Sequence, residues 1–113
     1  MCTKNQAISI LGEVYTACSS LFKENIKDAY LYGSFARGDY NKESDVDILV
    51  TATLDRAALS KFRYALAAVS SELSIKHNVT VSLTIKPYED FMQYSTTLPF
   101  YANVIKEGIR YGA

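Results

Sequence analysis

Residues 32–50 read YGSFARGDYNKESDVDILV, and they are the most informative part of the sequence. The apolar run from Ala29 to Tyr32 stops at Gly33, which predicts a strand from Ile26 to Tyr32 followed by a short helical turn. From Asp45 to Ala52, acidic and apolar residues alternate, which predicts a second strand with two unlike faces. We therefore expect the two strands to bring Gly33 to the rim of a cleft that the acidic residues face.

Asp45 and Asp47 are the first chemically informative pair. They lie two residues apart on a strand, so both carboxylates project from one face, about 7 Å apart along the chain. Such carboxylates raise each other's pKa unless a cation neutralises them. They suit Mg²⁺, which binds one or two carboxylates and completes its shell with water and phosphate oxygens. The alternative is the solvated face of a half-exposed strand, and the pair alone does not decide between the two.

Gly33 and Ser34 form the second part of the motif. Gly33 lacks a Cβ, so a phosphate can approach its backbone, and the amides that follow, with the Ser34 hydroxyl, would form an anion site. Arg37 has two interpretations of equal weight. It is either a guanidinium that bonds phosphate oxygens or a surface residue paired with Asp39 or Glu43.

The rest of the chain predicts an α/β (α+β) fold, in which helices flank a small mixed sheet in the order α-β-β-α-β-α. At 113 residues we expect a single domain, residues 1–113. The further predicted elements are helices at 7–23, 55–75 and about 89–94, a strand at 78–86, a last helix from Pro99 to Gly108, and a candidate C-terminal edge strand at 109–111.

Composition excludes several classes of protein. Twelve basic and twelve acidic residues give a formal net charge of zero, so direct nucleic-acid binding is not expected. No apolar run approaches the roughly 18 residues of a membrane span. Cys2 and Cys18 are the two cysteines, and a reduced, cytoplasmic protein is the expectation.

The string GSFARGDYNKESDVDILV at 33–50 resembles the minimal nucleotidyltransferases (MNT) of the DNA polymerase β-like nucleotidyltransferase superfamily. KPYEDF at 86–91 and LPFYANVIKEGIRYGA at 98–113 are also similar to that family, so the resemblance covers nearly the whole chain. It implies a nucleotidyltransferase fold and a role for each motif residue. Gly33 and Ser34 would hold the nucleotide phosphates, Arg37 would touch one of them, and Asp45 and Asp47 would ligate the bridging Mg²⁺ and serve catalysis.

The resemblance also points to a departure. Active members of the superfamily carry a third carboxylate on the neighbouring strand, but residues 78–86 contain no acid, and our alignment puts Thr80 in that position. A hydroxyl does not take the proton of an attacking group as a carboxylate does. Glu72, Glu89 and Asp90 are the other acids considered, and nothing in the sequence positions them.

Two functions follow from the resemblance. The first is an Mg²⁺-dependent enzyme that transfers AMP from ATP to an acceptor hydroxyl. Family members are frequently paired with a HEPN-domain protein in toxin–antitoxin modules, where the nucleotidyltransferase is the antitoxin and a tyrosine on the toxin is one acceptor. The second is a catalytically weak or inactive nucleotide-binding antitoxin that retains the partner surface. A homo-oligomer is compatible with either function.

Overall fold

The structure of the protein, a computed structural model, describes residues 2–112. Helices and strands alternate around one sheet, which confirms the predicted α+β class. No helix in this part of the chain combines the length and apolar character needed to cross a membrane. The strands are β1 (Ile26–Tyr32), β2 (Val46–Ala52), β3 (Val81–Pro87) and β4 (Ile109–Arg110). The helices are α1 (Lys4–Phe22), α2 (Ser34–Arg37), α3 (Arg56–Ser60), α4 (Arg63–His77), α5 (Tyr88–Gln93) and α6 (Pro99–Glu107), with a 3₁₀ turn at Lys23–Asn25.

The four strands form one mixed sheet in the order β3-β2-β1-β4. β2 pairs with β1 antiparallel and with β3 parallel, and β4 pairs antiparallel with the other side of β1. The strand within 78–86 is therefore confirmed as a neighbour of the acidic strand. The candidate edge strand forms as well, over Ile109 and Arg110.

The two faces of the sheet are covered by different helices. One face packs on α1 and α4, and the other packs on α5 and α6. Because side chains alternate along a strand, Val46, Ile48 and Val50 of β2 enter the first core while Leu49 enters the second. Asp47 shares the parity of Leu49, so it lies on the face that α5 and α6 partly cover.

The predicted first helix is confirmed and is longer at its start. Thr3 caps α1 by accepting a 3.1 Å hydrogen bond from the Gln6 amide, and the Gln6 side chain accepts one from the Thr3 amide. Such caps contribute about 1 kcal/mol each. Cys18 is buried on the apolar side of this helix, and burial raises the pKa of its thiol to about 12. Cys18 therefore acts as a small core residue.

The prediction of one helix over 55–75 is wrong in one respect, since two helices occupy this region. Asp55 caps the first of them by accepting a 2.8 Å hydrogen bond, as predicted. The amides of Lys61 and Phe62 then bond to carbonyls three residues earlier, so a tighter turn separates α3 from α4. At this turn the Phe62 ring packs edge-on against Phe22, with centroids 4.8 Å apart.

The predicted strand over 78–86 begins later, at Val81. Asn78 adopts a left-handed conformation with φ of 52° and ends α4, so it cannot join the sheet. The acidic strand likewise begins at Val46, which leaves Asp45 just before β2. Both boundaries place the polar residues of the motif at the end of the sheet where the parallel strands β2 and β3 begin.

An ionic cluster joins α1 to the end of α4. The Glu13 carboxylate contacts the Lys76 ammonium with one oxygen and the His77 imidazole with the other. The hydrogen bond from Lys76 is the main reason that the pKa of Glu13 lies below its ordinary value of 4.5, and His77 lowers it further. The cluster thereby fixes the end of the helix that leads into β3.

Glu13→Gln is expected to lower the free energy of unfolding by about 1 kcal/mol near neutral pH, because surface ion pairs contribute at most that much each. A depressed folded-state pKa means that the contribution is present above pH 4.5 and lost as the pH falls through the lower folded-state pKa. Urea unfolding across this range measures the effect. Glu72→Gln, on the exposed side of α4, is the control, and an equal loss in both variants would contradict the prediction.

Candidate active site

Two carboxylates, of Asp45 and Asp47, lie at the start of β2. Asp47 is half-buried on the strand and Asp45 is exposed just before it. Burial is the main cause that raises the pKa of Asp47, and the negative charge of Asp45 raises it further, whereas Arg37 lowers it. The structure therefore brings together the two acids that the sequence singled out, with one guanidinium close by.

Gly33 lies directly against the Asp47 carboxylate. Tyr32 is the β1 residue opposite Asp47 in the sheet, so the next residue passes across its side chain. A Cβ placed on Gly33 would come within 2.5 Å of Asp47 Oδ2. Gly33 also has φ of 78° and ψ of −156°, a conformation that only glycine adopts readily. Two independent features thus require glycine at this position.

The turn after Gly33 is a single helical turn, as predicted. The carbonyl of Gly33 accepts hydrogen bonds of 3.1 Å from the amides of Ala36 and Arg37. The Gly38 amide donates a 2.8 Å bond to the Ser34 carbonyl and ends the turn in a left-handed conformation. Ser34 is half-buried at the start of this turn, beside the glycine that touches Asp47.

Arg37 crosses from the turn toward α6. Its Nε lies 3.3 Å from Asp39 Oδ2, and its Nη1 lies 3.7 Å from Glu107 Oε2. Of the two surface partners predicted, Asp39 is found, and Glu43 forms no ion pair with Arg37 within residues 2–112. These exposed pairs are weak, so the guanidinium can exchange them for a stronger anion.

Beside Arg37 a groove separates the turn from α6. Tyr32 and Gly33 form one wall, and Phe100 and Asn103 of α6 form the other. The Phe100 ring is partly exposed and packs edge-on against Tyr32, with centroids 5.5 Å apart. An aromatic surface therefore lies beside Gly33, which contacts Asp47. The sequence did not reveal this feature because α6 and β1 are far apart along the chain.

The neighbouring strand brings hydroxyls to the acids. Strand register places Ser82 level with Asp47, and both lie on the same face of the sheet. Thr80 precedes β3, its carbonyl accepts a 2.8 Å bond from the Val46 amide, and it lines one cavity with Asp45. Thr80 as the third position stays a prediction, and Ser82 is a second candidate that sequence reasoning left aside.

The other acids considered lie elsewhere. Glu89 and Asp90 line a cavity at the far end of β2 and β3, where Asp90 is paired with Arg56 at 3.5 Å. Glu72 is exposed on α4. Within residues 2–112, no group of three or more His, Cys, Asp or Glu side chains could hold a metal ion. Two carboxylates are therefore what the described part of the chain offers at this site.

A family model described as the nucleotidyltransferase domain matches residues 11–111. The chain belongs to the nucleotidyltransferase domain family. A curated relative from Methanocaldococcus jannaschii, named "Putative protein adenylyltransferase MJ0604", is 32% identical over 98 residues, which cover 87% of this chain and 90% of the relative. The resemblance to the minimal nucleotidyltransferases is thereby confirmed.

Solved structures share the fold. A Sulfolobus solfataricus protein assigned as a nucleotidyltransferase superposes with a TM-score of 0.65 at 19% identity, covering 96% of this chain and 81% of its own. A toxin–antitoxin complex with AMP-PNP contains a chain that superposes with a TM-score of 0.54 at 22% identity, covering 88% of this chain and 69% of that one. At these identities the likeness concerns the fold.

The donor set of the candidate site fits a hard divalent cation. Carboxylate oxygens are the ligands that Mg²⁺ prefers, and one or two of them suffice when phosphates complete the shell. Burial first, and then the negative charge of Asp45, raise the pKa of Asp47, and the opposing effect of Arg37 does not compensate for them. A cation at Asp45 and Asp47 would supply that compensation.

Gly33→Ala is expected to disturb both the backbone and the acid pair. The strained conformation costs about 1–3 kcal/mol, and the new methyl displaces the Asp47 carboxylate. We therefore expect a lower melting temperature together with loss of nucleotidyl transfer.

Gly38→Ala is the matched control for this prediction. Gly38 also has a positive φ, of 94°, but an added Cβ would meet no atom within 4 Å. It should lower the melting temperature while transfer is retained. Equal losses of transfer in the two variants would show that contact with Asp47 is not what makes Gly33 necessary.

Proposed function

We propose that this protein transfers AMP from ATP to a hydroxyl group on a protein acceptor. The observation that carries the proposal is the half-buried Asp47 carboxylate at the start of β2. It lies against Gly33, and the negative charge of Asp45 acts on it. Membership of the nucleotidyltransferase domain family supports the reaction class, and the name of the relative at 32% identity supports a protein acceptor.

Each residue of the motif has a part in this reaction. Gly33 and Ser34 bind the triphosphate, and Arg37 gives up its surface partners to bond a phosphate oxygen. Asp45 and Asp47 would hold Mg²⁺, which would supply charge that offsets the charge on the phosphate oxygens. The acceptor oxygen attacks the α-phosphorus in line, and the bond from the α-phosphorus to the bridging oxygen breaks. Pyrophosphate leaves with that electron pair, and the proton of the acceptor hydroxyl passes to solvent water. The motif residues orient that attack by fixing the triphosphate.

The acceptor is proposed on chemical and family grounds. Phe100 and Tyr32 line the groove beside Gly33 and offer an aromatic surface on which a tyrosine side chain would pack. Resemblance to the minimal nucleotidyltransferases supports a HEPN-domain toxin as the protein that presents it. In that pairing this chain is the antitoxin.

The test is a transfer assay with ATP labelled at the α-phosphate, in which the acceptor is a HEPN-domain protein if one is encoded beside this gene, and otherwise the proteins of the cell extract. Label should appear on the acceptor protein and depend on Mg²⁺, and mass spectrometry should place one AMP on a tyrosine. Label on neither that protein nor any other in the cell extract would overturn transfer as the function.

A second candidate is a nucleotide-binding antitoxin with little transfer activity. It is favoured by one observation, the lack of a third carboxylate beside Asp45 and Asp47 within residues 2–112. Tight Mg–ATP binding and partner binding without label transfer would support this second candidate over the first.

Mg²⁺ and ATP are expected to bind cooperatively. Asp45 and Asp47 repel a triphosphate until a cation neutralises them, and two carboxylates alone bind Mg²⁺ weakly. Calorimetry of ATP with and without Mg²⁺ measures the coupling, for which we expect at least about a tenfold difference in affinity. Equal affinity under both conditions would contradict binding at this pair.

A further inference from the structure

β3 forms an edge of the sheet with peptide groups that point outward. Its neighbour on one side is β2, and within residues 2–112 it has no strand on the other. The 2.8 Å bond from the Val46 amide to the Thr80 carbonyl fixes which peptide groups face β2. By this alternation the N–H and C=O groups that face outward belong to Val81, Leu83 and Ile85.

Helix α4 satisfies the first of these outward groups. Ser74 Oγ accepts a 2.9 Å hydrogen bond from the Val81 amide, and Ser70 Oγ donates to the Val81 carbonyl. The two serines thus imitate a neighbouring strand for one residue. The outward groups of Leu83 and Ile85 have no hydrogen-bond partner in the described part of the chain.

An apolar groove runs beside this open stretch, between β3 and the α3–α4 pair. Leu83 and Ile85 are only half-buried in it, and α4 contributes no fully buried residue along its length. The groove therefore has an incompletely covered apolar surface next to unpaired peptide groups. Its apolar lining residues are Leu59, Leu66, Ala67, Leu83, Ile85 and Pro87.

The rim of the groove is basic. Arg56, Arg63 and Lys86 line it, and no acidic residue does. Arg56 Nε lies 3.5 Å from Asp90 Oδ2, but the Arg56 side chain remains largely exposed. A second copy of the chain in a twofold contact would place these cations against their own copies, so the charge disfavours self-association here. The apolar surface in turn favours a polypeptide over a nucleic acid.

We propose that this groove binds an extended acidic segment of a partner protein, which adds a fifth strand alongside Leu83 and Ile85. Main-chain hydrogen bonds to the outward groups supply affinity, as in other cases of strand addition. Apolar side chains of the segment enter the groove, and its carboxylates meet Arg63 and Lys86. The proposal does not depend on AMP transfer, because the groove lies toward the other end of β3 from Thr80 and Asp45.

The test uses a short fluorescein-labelled peptide that alternates glutamate with valine, with binding followed by fluorescence anisotropy. Strand addition uses the amides on only one edge of the peptide. Two methylated peptides are compared: one is methylated at the amide nitrogens of all its valines, and the other at those of all its glutamates. One of the two should fail to bind, and the other should bind like the unmethylated peptide. The proposal would be overturned if both methylated peptides lost affinity equally, or if the unmethylated peptide did not bind at millimolar concentration.

Variants of the protein test the charge. Arg63→Glu should weaken binding of the acidic peptide about fivefold, since an exposed ion pair contributes at most about 1 kcal/mol. Lys106→Glu, on the exposed side of α6, is the matched control and should leave affinity unchanged. A second peptide, which alternates lysine with valine, and single-stranded RNA are the competing ligands. Tighter binding of either one than of the acidic peptide to the unaltered protein would also overturn the proposal.

Discussion

Asp47→Asn is expected to lower the rate of AMP transfer about a thousandfold, the loss of several kcal/mol of transition-state charge stabilisation. Asp47 is the more buried of the two acids and touches Gly33, so no other described carboxylate can take its place. The amide keeps the size of the side chain but removes the negative charge that holds the cation. Single-turnover transfer of label from ATP measures the change.

The same substitution should not destabilise the fold. Burial and the charge of Asp45 raise the pKa of Asp47, so ionisation of Asp47 above that pKa is less favourable in the folded state than in the unfolded state. Removing the charge therefore leaves the melting temperature unchanged or higher when Mg²⁺ is absent. Asp28→Asn is the control, a partly buried carboxylate on β1 that pairs with Arg110. Transfer that survives Asp47→Asn would move the reaction to another site.

The part of the fold that the sequence predicts best has local causes. β1 matches its prediction residue for residue, because Gly33 interrupts the apolar run where the chain must take up a positive φ. Asp55 and Pro99 mark helix starts through capping and ring geometry that depend on neighbouring residues alone. Boundaries of this kind need no knowledge of the tertiary structure.

What escaped prediction depends on contacts between distant segments. The interruption between α3 and α4 at Lys61 and Phe62 accompanies the packing of the Phe62 ring on Phe22. The sequence does not show that contact, because the two residues are far apart along the chain. Periodicity placed Thr80 and Ser82 on one face, but their level relative to the acids depends on the parallel register of β3 with β2. If β3 shifted by two residues along β2, each side chain would keep its face of the sheet but would lie beside a different residue. The hydrophobic pattern within either strand therefore could not fix the register.

Ser82→Asp is the second large effect that we expect, and it is a gain. Ser82 lies level with Asp47 on the same face, so an added carboxylate there would stand beside the acid pair and could accept the proton of the acceptor hydroxyl. Positioned general-base catalysis raises rates about 10²–10⁴-fold, and single-turnover transfer should increase within that range. Without Mg²⁺ the third acid adds repulsion and lowers the melting temperature, and adding Mg²⁺ should restore it.

Thr80→Asp, measured beside Ser82→Asp, separates the two candidates for the third position. Thr80 precedes the strand and shares a cavity with exposed Asp45, so an acid there lies farther from the half-buried Asp47 and should raise transfer less. A larger gain from Thr80→Asp would assign the position to Thr80 as the sequence predicted. If neither variant exceeds an already rapid wild type, another group takes the proton. If none of the three proteins transfers AMP while Mg–ATP still binds tightly, the protein is a nucleotide-binding antitoxin whose lost chemistry one carboxylate does not restore.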